Sequence, residues 1–282
     1  MINLETNKID LRQKRAFSEL ISITFEFIRE NIKIISRSFL VFSLPLILLG
    51  SILSYIIGYT MPSITSANLL GNILIAAGTL FYSMAINIII SNYVEMENPK
   101  ELTISMIWAQ IGKNIGAYIG GGFLVGIIFI VGILLLLIPG IYFGIALSFV
   151  FFIIIHEKLG VADSIKRSYE LSKGYWWGIL GFLLIMIIIQ ATISYSVIIP
   201  LTFLSMWLLR PIYSGEMGAD GLNDSYLLIL AVITLVMVMF YNYISAIINV
   251  AIAAKYFSVV EEKENIGLQD EIDAMGTQTE QD

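Results

Sequence analysis

From Asn114 to Ile155 the chain carries no charged side chain. A helix needs about 20 residues to cross roughly 30 Å of hydrocarbon, so this stretch is long enough for two crossings, divided by the break at Pro139-Gly140. A soluble domain cannot bury such a run on every side. The same pattern recurs along the chain, with apolar segments at about Ser38–Tyr59, Leu69–Tyr93, Asn114–Ile138, Ile141–Ile155, from Trp176 to a bend or end at Pro200, and Tyr226–Phe257. The expected fold is all-α: a polytopic integral membrane protein whose six transmembrane helices form three hairpins. Pro45 is expected to kink span one.

Composition agrees. Hydrophobic residues make up 57% and charged residues 13%, with a mean hydropathy of +0.85, whereas soluble domains carry about 25% charge. The 282 residues divide into a polar N-terminal segment (1–37), a six-helix domain (38–257) and an acidic tail (258–282). That tail accounts for the formal charge of −6: from Glu261 onward it holds Glu261, Glu262, Glu264, Asp270, Glu271, Asp273, Glu280 and Asp282 against Lys263. Acidity therefore belongs to a solvated, mostly disordered end, in which Leu268, Ile272 and Met275 could form one docking turn. No cleavable signal pattern is expected at the N-terminus, since the first apolar segment is too long.

Between spans the periodicity changes. Phe17, Leu20, Ile21, Thr24, Phe25 and Ile28 fall on one helical face, with Glu19, Ser22, Glu26 and Arg29 off it. That reads as an amphipathic helix at the interface. A second begins near Leu102, after an Asn98-Pro99-Lys100-Glu101 start signal, and carries Met106, Trp108 and Ile111. A third covers 161–173, with Val161, Ile165 and Tyr169 on one face and Trp176-Trp177 marking the interface beyond. Amphipathic helix, span, turn and span thus recur three times, an internal repeat of layout.

Basic residues orient the chain. Of sixteen Lys and Arg residues, all but Arg210 fall on the side of the two termini. The positive-inside rule then places both termini and all three amphipathic helices in the cytoplasm, and the protein in the inner membrane.

The stretch from Ile138 to Leu183 resembles the signature of an uncharacterised bacterial six-helix family, whose best-named member is the membrane domain attached to some glycerophosphodiester phosphodiesterases. The features that carry it are the Pro139-Gly140 turn, the apolar span, the connection through Gly160, the core Ser168-Tyr169-Glu170-Leu171-Ser172, and the aromatic entry to the next span. The resemblance implies fold and location. It does not imply phosphodiesterase activity, because the family's catalytic barrel is missing and its histidine pair cannot come from the single His156. Relatives often place a basic residue in the span after the Pro-Gly turn, and Ile141–Ile155 has none.

Chemistry is sparse. There is no Cys, and no P-loop, HExxH or GxSxG motif. No intramembrane Asp, Glu, Lys or Arg is expected in spans two to six, with Lys255 counted at the cytoplasmic C-terminus; such residues are the usual handles of ion-coupled transport. No catalytic residue, cofactor or metal is expected. Polar side chains that enter the membrane are expected to point inward. Asn87, Gln190, Asn242 and Asn249 form the candidate intramembrane cluster, either as interhelical glue or as the lining of a wet cavity. Gly116, Gly120, Gly140 and Gly144 are candidate close-packing positions, and leucine at Gly116, Gly120 or Gly144 should lower the melting temperature. Lys113, Lys166, Arg167 and Lys173 are candidate contacts for anionic headgroups. His156, beside Glu157 at a membrane boundary, could be incidental or a pH sensor.

Two functions from different classes fit, with a lipid-acting enzyme a distant third. The first is a non-catalytic membrane protein that organises or accompanies envelope or lipid-related components. The alternative is an uncoupled carrier or channel for a lipid-like or small apolar substrate. Expected partners are membrane lipids, with a membrane-protein partner or a second copy of the chain, and no nucleic acid. Tag-accessibility labelling in intact cells tests the orientation: residues 211–224 should react from outside, and cytoplasmic reactivity would reverse it.

Overall fold

The computed structural model describes residues 8–60, 68–214 and 224–264. Among them every regular element is helical, and six stretches are long and apolar enough to cross a membrane: Phe17–Ile57, Leu69–Glu95, Ile104–Leu135, Leu137–His156, Trp176–Arg210 and Leu228–Glu264. The multi-pass all-α architecture follows. The possible docking turn at Leu268, Ile272 and Met275 lies outside the described residues, as does most of the connection between spans five and six.

The described residues form ten α-helices: α1 (Phe17–Ser38), α2 (Leu44–Thr60), α3 (Asn68–Glu95), α4 (Ile104–Leu135), α5 (Leu137–Ala146), α6 (Val150–His156), α7 (Val161–Ser172), α8 (Trp176–Tyr213), α9 (Asp224–Ile244) and α10 (Ala246–Glu264). The boundaries differ from the expectation in instructive ways. The first two interfacial segments are not separate helices. α1 runs through a π-helical turn, Phe39–Ser43, into α2, and the segment expected to lie along the interface around Met106 is the first part of α4. Only α7 stands apart.

The irregularities have local causes. Pro45 lacks an N–H, and its ring would crowd the carbonyl one turn earlier. The widened π turn comes immediately before it, where the Leu44 N–H bonds to Phe39 O instead. Pro200 does not end its helix, which continues to Tyr213. The reversal between spans three and four falls at Leu136, in extended conformation, rather than at Pro139-Gly140. Pro139 instead occupies the first turn of α5, where a missing N–H costs least.

The residues group into two compact units. Unit 1 comprises residues 1–35, 84–186 and 247–282; unit 2 comprises 36–83 and 187–246. In unit 1 the core is built on Leu20 and Phe27 of α1, Ile86, Ile88, Ile89 and Ile90 of α3, Ile107 and Ile111 of α4, and Phe149, Phe152, Ile153 and Ile154 around α6. In unit 2, Phe39 meets Tyr82 and Tyr243 edge-on, both with centroids 5.4 Å apart. The outward surface is as apolar as the core. Phe123 is 68% exposed and Leu134 and Ile138 are each 79% exposed, as expected where the solvent is lipid.

The glycines divide differently from the expected face. A Cβ built on Gly116 would meet nothing within 4 Å, and one on Gly120 would make only ordinary contact with Val161 at 3.5 Å. Gly116 therefore admits no neighbour. The close approach lies at the α4–α5 reversal, where a Cβ on Gly140 would fall 2.9 Å from the Ile133 backbone nitrogen and one on Gly132 would fall 2.8 Å from Gly140 Cα. Gly144 lies against Phe129, at 3.2 Å. Unit 2 holds a second close approach, with a Cβ on Gly50 2.6 Å from Gly71 O and one on Gly78 3.0 Å from Ser43 O.

These contacts revise the glycine prediction. Gly132→Leu or Gly140→Leu should destabilise the chain by about 1–3 kcal/mol, the usual range for overpacking, and lower its detergent melting temperature. Gly116→Leu should leave melting unchanged; equal losses at all three positions would contradict the assignment.

Candidate functional site: a polar ladder and a charged clasp

α3 carries Asn87, Ser91, Asn92 and Glu95 at helical spacing along its last two turns. Asn87, Ser91 and Asn92 are buried. Each finds a partner inside unit 1. Asn87 Nδ2 donates to Tyr118 Oη of α4 at 3.1 Å. Asn92 and Gln110 exchange two amide hydrogen bonds, both 3.0 Å. A second Asn92 bond, to Ile88 O at 2.8 Å, anchors that amide to its own helix. Paired in this way, α3 and α4 bury Asn87, Asn92 and Tyr118 and half-bury Gln110 without leaving these amides unsatisfied, a burial that would otherwise cost about 1–3 kcal/mol per group.

Ser91 continues the ladder toward α6. Its Oγ lies 3.1 Å from Glu95 Oε1 and 2.9 Å from His156 Nδ1. An ionised carboxylate only accepts, so the Ser91 proton points to Glu95 and Nδ1–H of His156 donates to Ser91. The tautomer is assigned from this network. A nucleophilic serine needs the reverse, with the imidazole accepting its proton. Glu95 Oε1 also lies 3.5 Å from the same Nδ1, so serine and acid address one nitrogen rather than the two a triad uses. The imidazole stacks on Phe152 at 5.2 Å, with Phe257 edge-on at 5.1 Å. Its surroundings suit a packed structural histidine. Among the described residues no group of three His, Asp or Glu side chains is placed to hold a metal.

On the other flank of α6 lies a charged clasp. Arg167 of α7 donates from Nε to both oxygens of Glu157, at 3.0 and 3.1 Å. Its other edge grips Glu264, with Nη2 to Oε2 at 2.9 Å. Tyr256 Oη donates to Glu157, and Lys263 Nζ donates to the carbonyls of Glu170 and Lys173. The grip on Glu264 is bidentate and that on Glu157 is one Nε–H shared by two oxygens, a two-sided geometry that a planar guanidinium offers and an ammonium does not. The hydrogen bonds to Glu264 and Glu157 raise the Arg167 pKa against the opposing effect of burial, so the charge is permanent. α10 is thereby ordered through Glu264, beyond the expected end of the last span at Phe257.

α7 also repairs a break in the fourth span. α5 stops at Ala146 and α6 starts at Val150, which frees carbonyls in a region without water. Ser168 Oγ and Ser172 Oγ both donate to Ala146 O, at 2.8 and 3.0 Å. Trp176 Nε1 donates to Tyr142 O at 3.1 Å. The buried face of α7 is therefore Ser164, Ser168, Leu171 and Ser172, while Tyr169 is exposed. Val161, Ile165 and Tyr169 lie off that buried face. The two serines of the Ser168–Ser172 core sit one turn apart, with Leu171 beside them.

The sequence-derived candidates separate accordingly. Asn87 and Asn249 belong to unit 1, Gln190 and Asn242 to unit 2. Asn242 Nδ2 donates to Val238 O at 2.9 Å and its Oδ1 accepts from Thr79, whereas Gln190 Oε1 is buried without a partner. Lys113, Lys166 and Lys173 are exposed; Lys166 makes only a 4.0 Å pair with Glu170 at the surface. Arg167 departs from the headgroup expectation, because both edges of its guanidinium are taken. Sequence reasoning missed Tyr118, Asn92 with Gln110, and the serine pair. Asn92 and Gln110 lie 18 residues apart on different helices, a spacing with no periodic signature, while Ser168 and Ser172 at i, i+4 were visible as a motif without a partner.

Comparison with family models, with curated proteins and with solved structures found no match.

A double-mutant cycle on Asn92→Leu and Gln110→Leu should give a coupling of about 0.6–2 kcal/mol, the range for interhelical hydrogen bonds in membranes. Additive losses in melting stability would show that the amides do not bind each other. Ser168→Ala combined with Ser172→Ala should cost more than either alone, since either hydroxyl can satisfy Ala146 O; a double variant as stable as either single one would contradict that role.

Proposed function

We propose that the chain is a non-catalytic multi-pass membrane protein that organises or accompanies lipid-related components of the envelope. Both termini and the clasped end lie in the cytoplasm, where fifteen of the sixteen basic residues gather. Lys113, Lys166 and Lys173 face outward there and attract anionic headgroups or an acidic partner, at about 1 kcal/mol each. The resemblance of Ile138–Leu183 to a phosphodiesterase-associated membrane domain supports a lipid context. The observation that carries the reading is the division of polar groups. Asn87, the pair Asn92 and Gln110, and Asn242 are taken up by one another or by a tyrosine or threonine hydroxyl, whereas Gln190 Oε1 is not, and these lysines remain exposed.

The carrier alternative draws on one observation in unit 2. Ser38, Ser43, Ser54, Gln190 and Ser194 each hold a buried side-chain oxygen without a protein partner, as the wall of a wet path would.

The test has two arms. Photocrosslinking in native membranes, read by mass spectrometry, should capture anionic lipids or a membrane-protein neighbour through Lys113, Lys166 and Lys173, and should lose that capture in the triple Lys→Gln variant. Asn87, Gln190, Asn242 and Asn249 are replaced singly by Leu in parallel. Modestly lower melting with an intact cell phenotype supports glue. Loss of phenotype at normal abundance and unchanged melting would replace this function with transport.

A further inference from the structure

The segment before α1 lies across the end of α3. Ile9 and Leu11 are buried, and the Ile9 N–H donates to Tyr93 Oη at 2.9 Å. Lys8 Nζ donates to Val94 O at 3.1 Å and to Met96 O at 2.9 Å, a cation on the last carbonyls of a helix, where the macrodipole favours it. Burial lowers the Lys8 pKa, and two of the ammonium's three donors are fixed by these bonds.

Beside this strap, between α1 and the turn into α4, opens a cleft of about 420 Å³ whose walls include Lys8, Glu30, Asn31, Tyr93, Glu97 and Lys100. The volume lies within the range of small-ligand sites, about 300–1,000 Å³. Its charges are balanced, two ammonium groups against two carboxylates. Glu30 Oε2 accepts from Tyr93 Oη at 3.2 Å, leaving its other oxygen open. Glu97 and Lys100 are exposed.

A simple anion would meet two carboxylates here, and a simple cation two ammonium groups. A zwitterion meets neither conflict. We propose that this cleft binds a primary ammonium carried a few atoms from an anionic group, and that its occupant is the phosphoethanolamine headgroup of a membrane phospholipid. The ammonium sits on Glu30 and Glu97. The phosphate takes Lys100 and the remaining N–H of Lys8. Position argues for a lipid over a free amino acid. Tyr93 lies in the last turn of the apolar run Leu69–Glu95, at the depth where tyrosines meet headgroups, so a tethered headgroup reaches the cleft without leaving the bilayer. The inference rests on the lipid-facing reading of this end and names the lipid.

Full-length protein in nanodiscs of phosphatidylcholine with a minor share of phosphatidylethanolamine or of phosphatidylglycerol is released into the gas phase, and the retained lipids are counted by native mass spectrometry. Choline has the same phosphate but no N–H to donate, so phosphatidylethanolamine should be enriched about tenfold, the weight of one charge-assisted hydrogen bond. Glu97→Gln and Lys100→Gln should each remove the enrichment without changing the melting temperature. Glu101→Gln, one residue beyond the cleft wall, should retain it. Millimolar O-phosphoethanolamine or glycine should not displace the lipid. Retention of either small molecule by the protein without lipid enrichment would overturn the lipid assignment in favour of a soluble zwitterion. Enrichment of phosphatidylglycerol instead would overturn the zwitterion cleft while leaving the basic-end function standing. No enrichment of any lipid would overturn the proposal outright.

Discussion

Hydrocarbon offers no hydrogen bonds, and the polar groups of unit 1 answer to that constraint. Each polar atom that enters the spans needs a partner supplied by the protein. α3 is the helix on which unit 1 resolves the problem. Its last turns carry four polar side chains, and α4 and α6 present a tyrosine, a glutamine and a histidine at matching heights. The ladder fixes the registers of α3, α4 and α6, since sliding any helix by one turn would strand several amides at once. Apolar packing around it, from Ile86 to Ile90 on one side and Phe149 to Ile154 on the other, excludes water and so makes each bond matter more.

The same constraint explains why α7 exists. The break between Ala146 and Val150 frees carbonyls that no water can reach, and two serines one helical turn apart deliver their hydroxyls to Ala146 O. Once α7 is seated there, Arg167 reaches both Glu157 and Glu264, which ties the start of the loop after α6 to the end of α10. A motif that resembles a family signature thus has a mechanical reading in this chain. Ser168, Leu171 and Ser172 share the buried face, and the intervening Glu170 is free to face water and accept Lys166 at the surface.

The spans were legible because length and the absence of charge decide them. Leu137–His156 and Leu69–Glu95 differ from their expected limits by a few residues. Helix continuity was not legible, because an amphipathic face does not reveal whether the chain turns where polarity ends. α4 carries its face straight into span three. Pro139 misled for a related reason: it falls in the first turn of α5, where a missing N–H costs least, and the reversal lies at Leu136. The candidates Gly116 and Gly120 followed a helical period, yet the contacts that need glycine are set by the reversal at Leu136 and by Gly50 with Gly71. Of the amides singled out in the sequence, Asn87 and Asn242 are buried. Their partners were not legible, since pairing across helices depends on register that no local pattern records.

The central claim is that the ladder on α3 is dry and closed. The chain has no native cysteine, so single cysteines report accessibility without background. Ser91→Cys and Asn87→Cys, with Lys113→Cys as an exposed reference, are placed in the full-length protein in vesicles and treated from either side with a membrane-impermeant maleimide. Labelling at position 113 with none at 87 or 91 from either side is the expected result. Labelling at 87 or 91 approaching that at 113 would contradict the account, because water would then reach the amides that are held to bind each other.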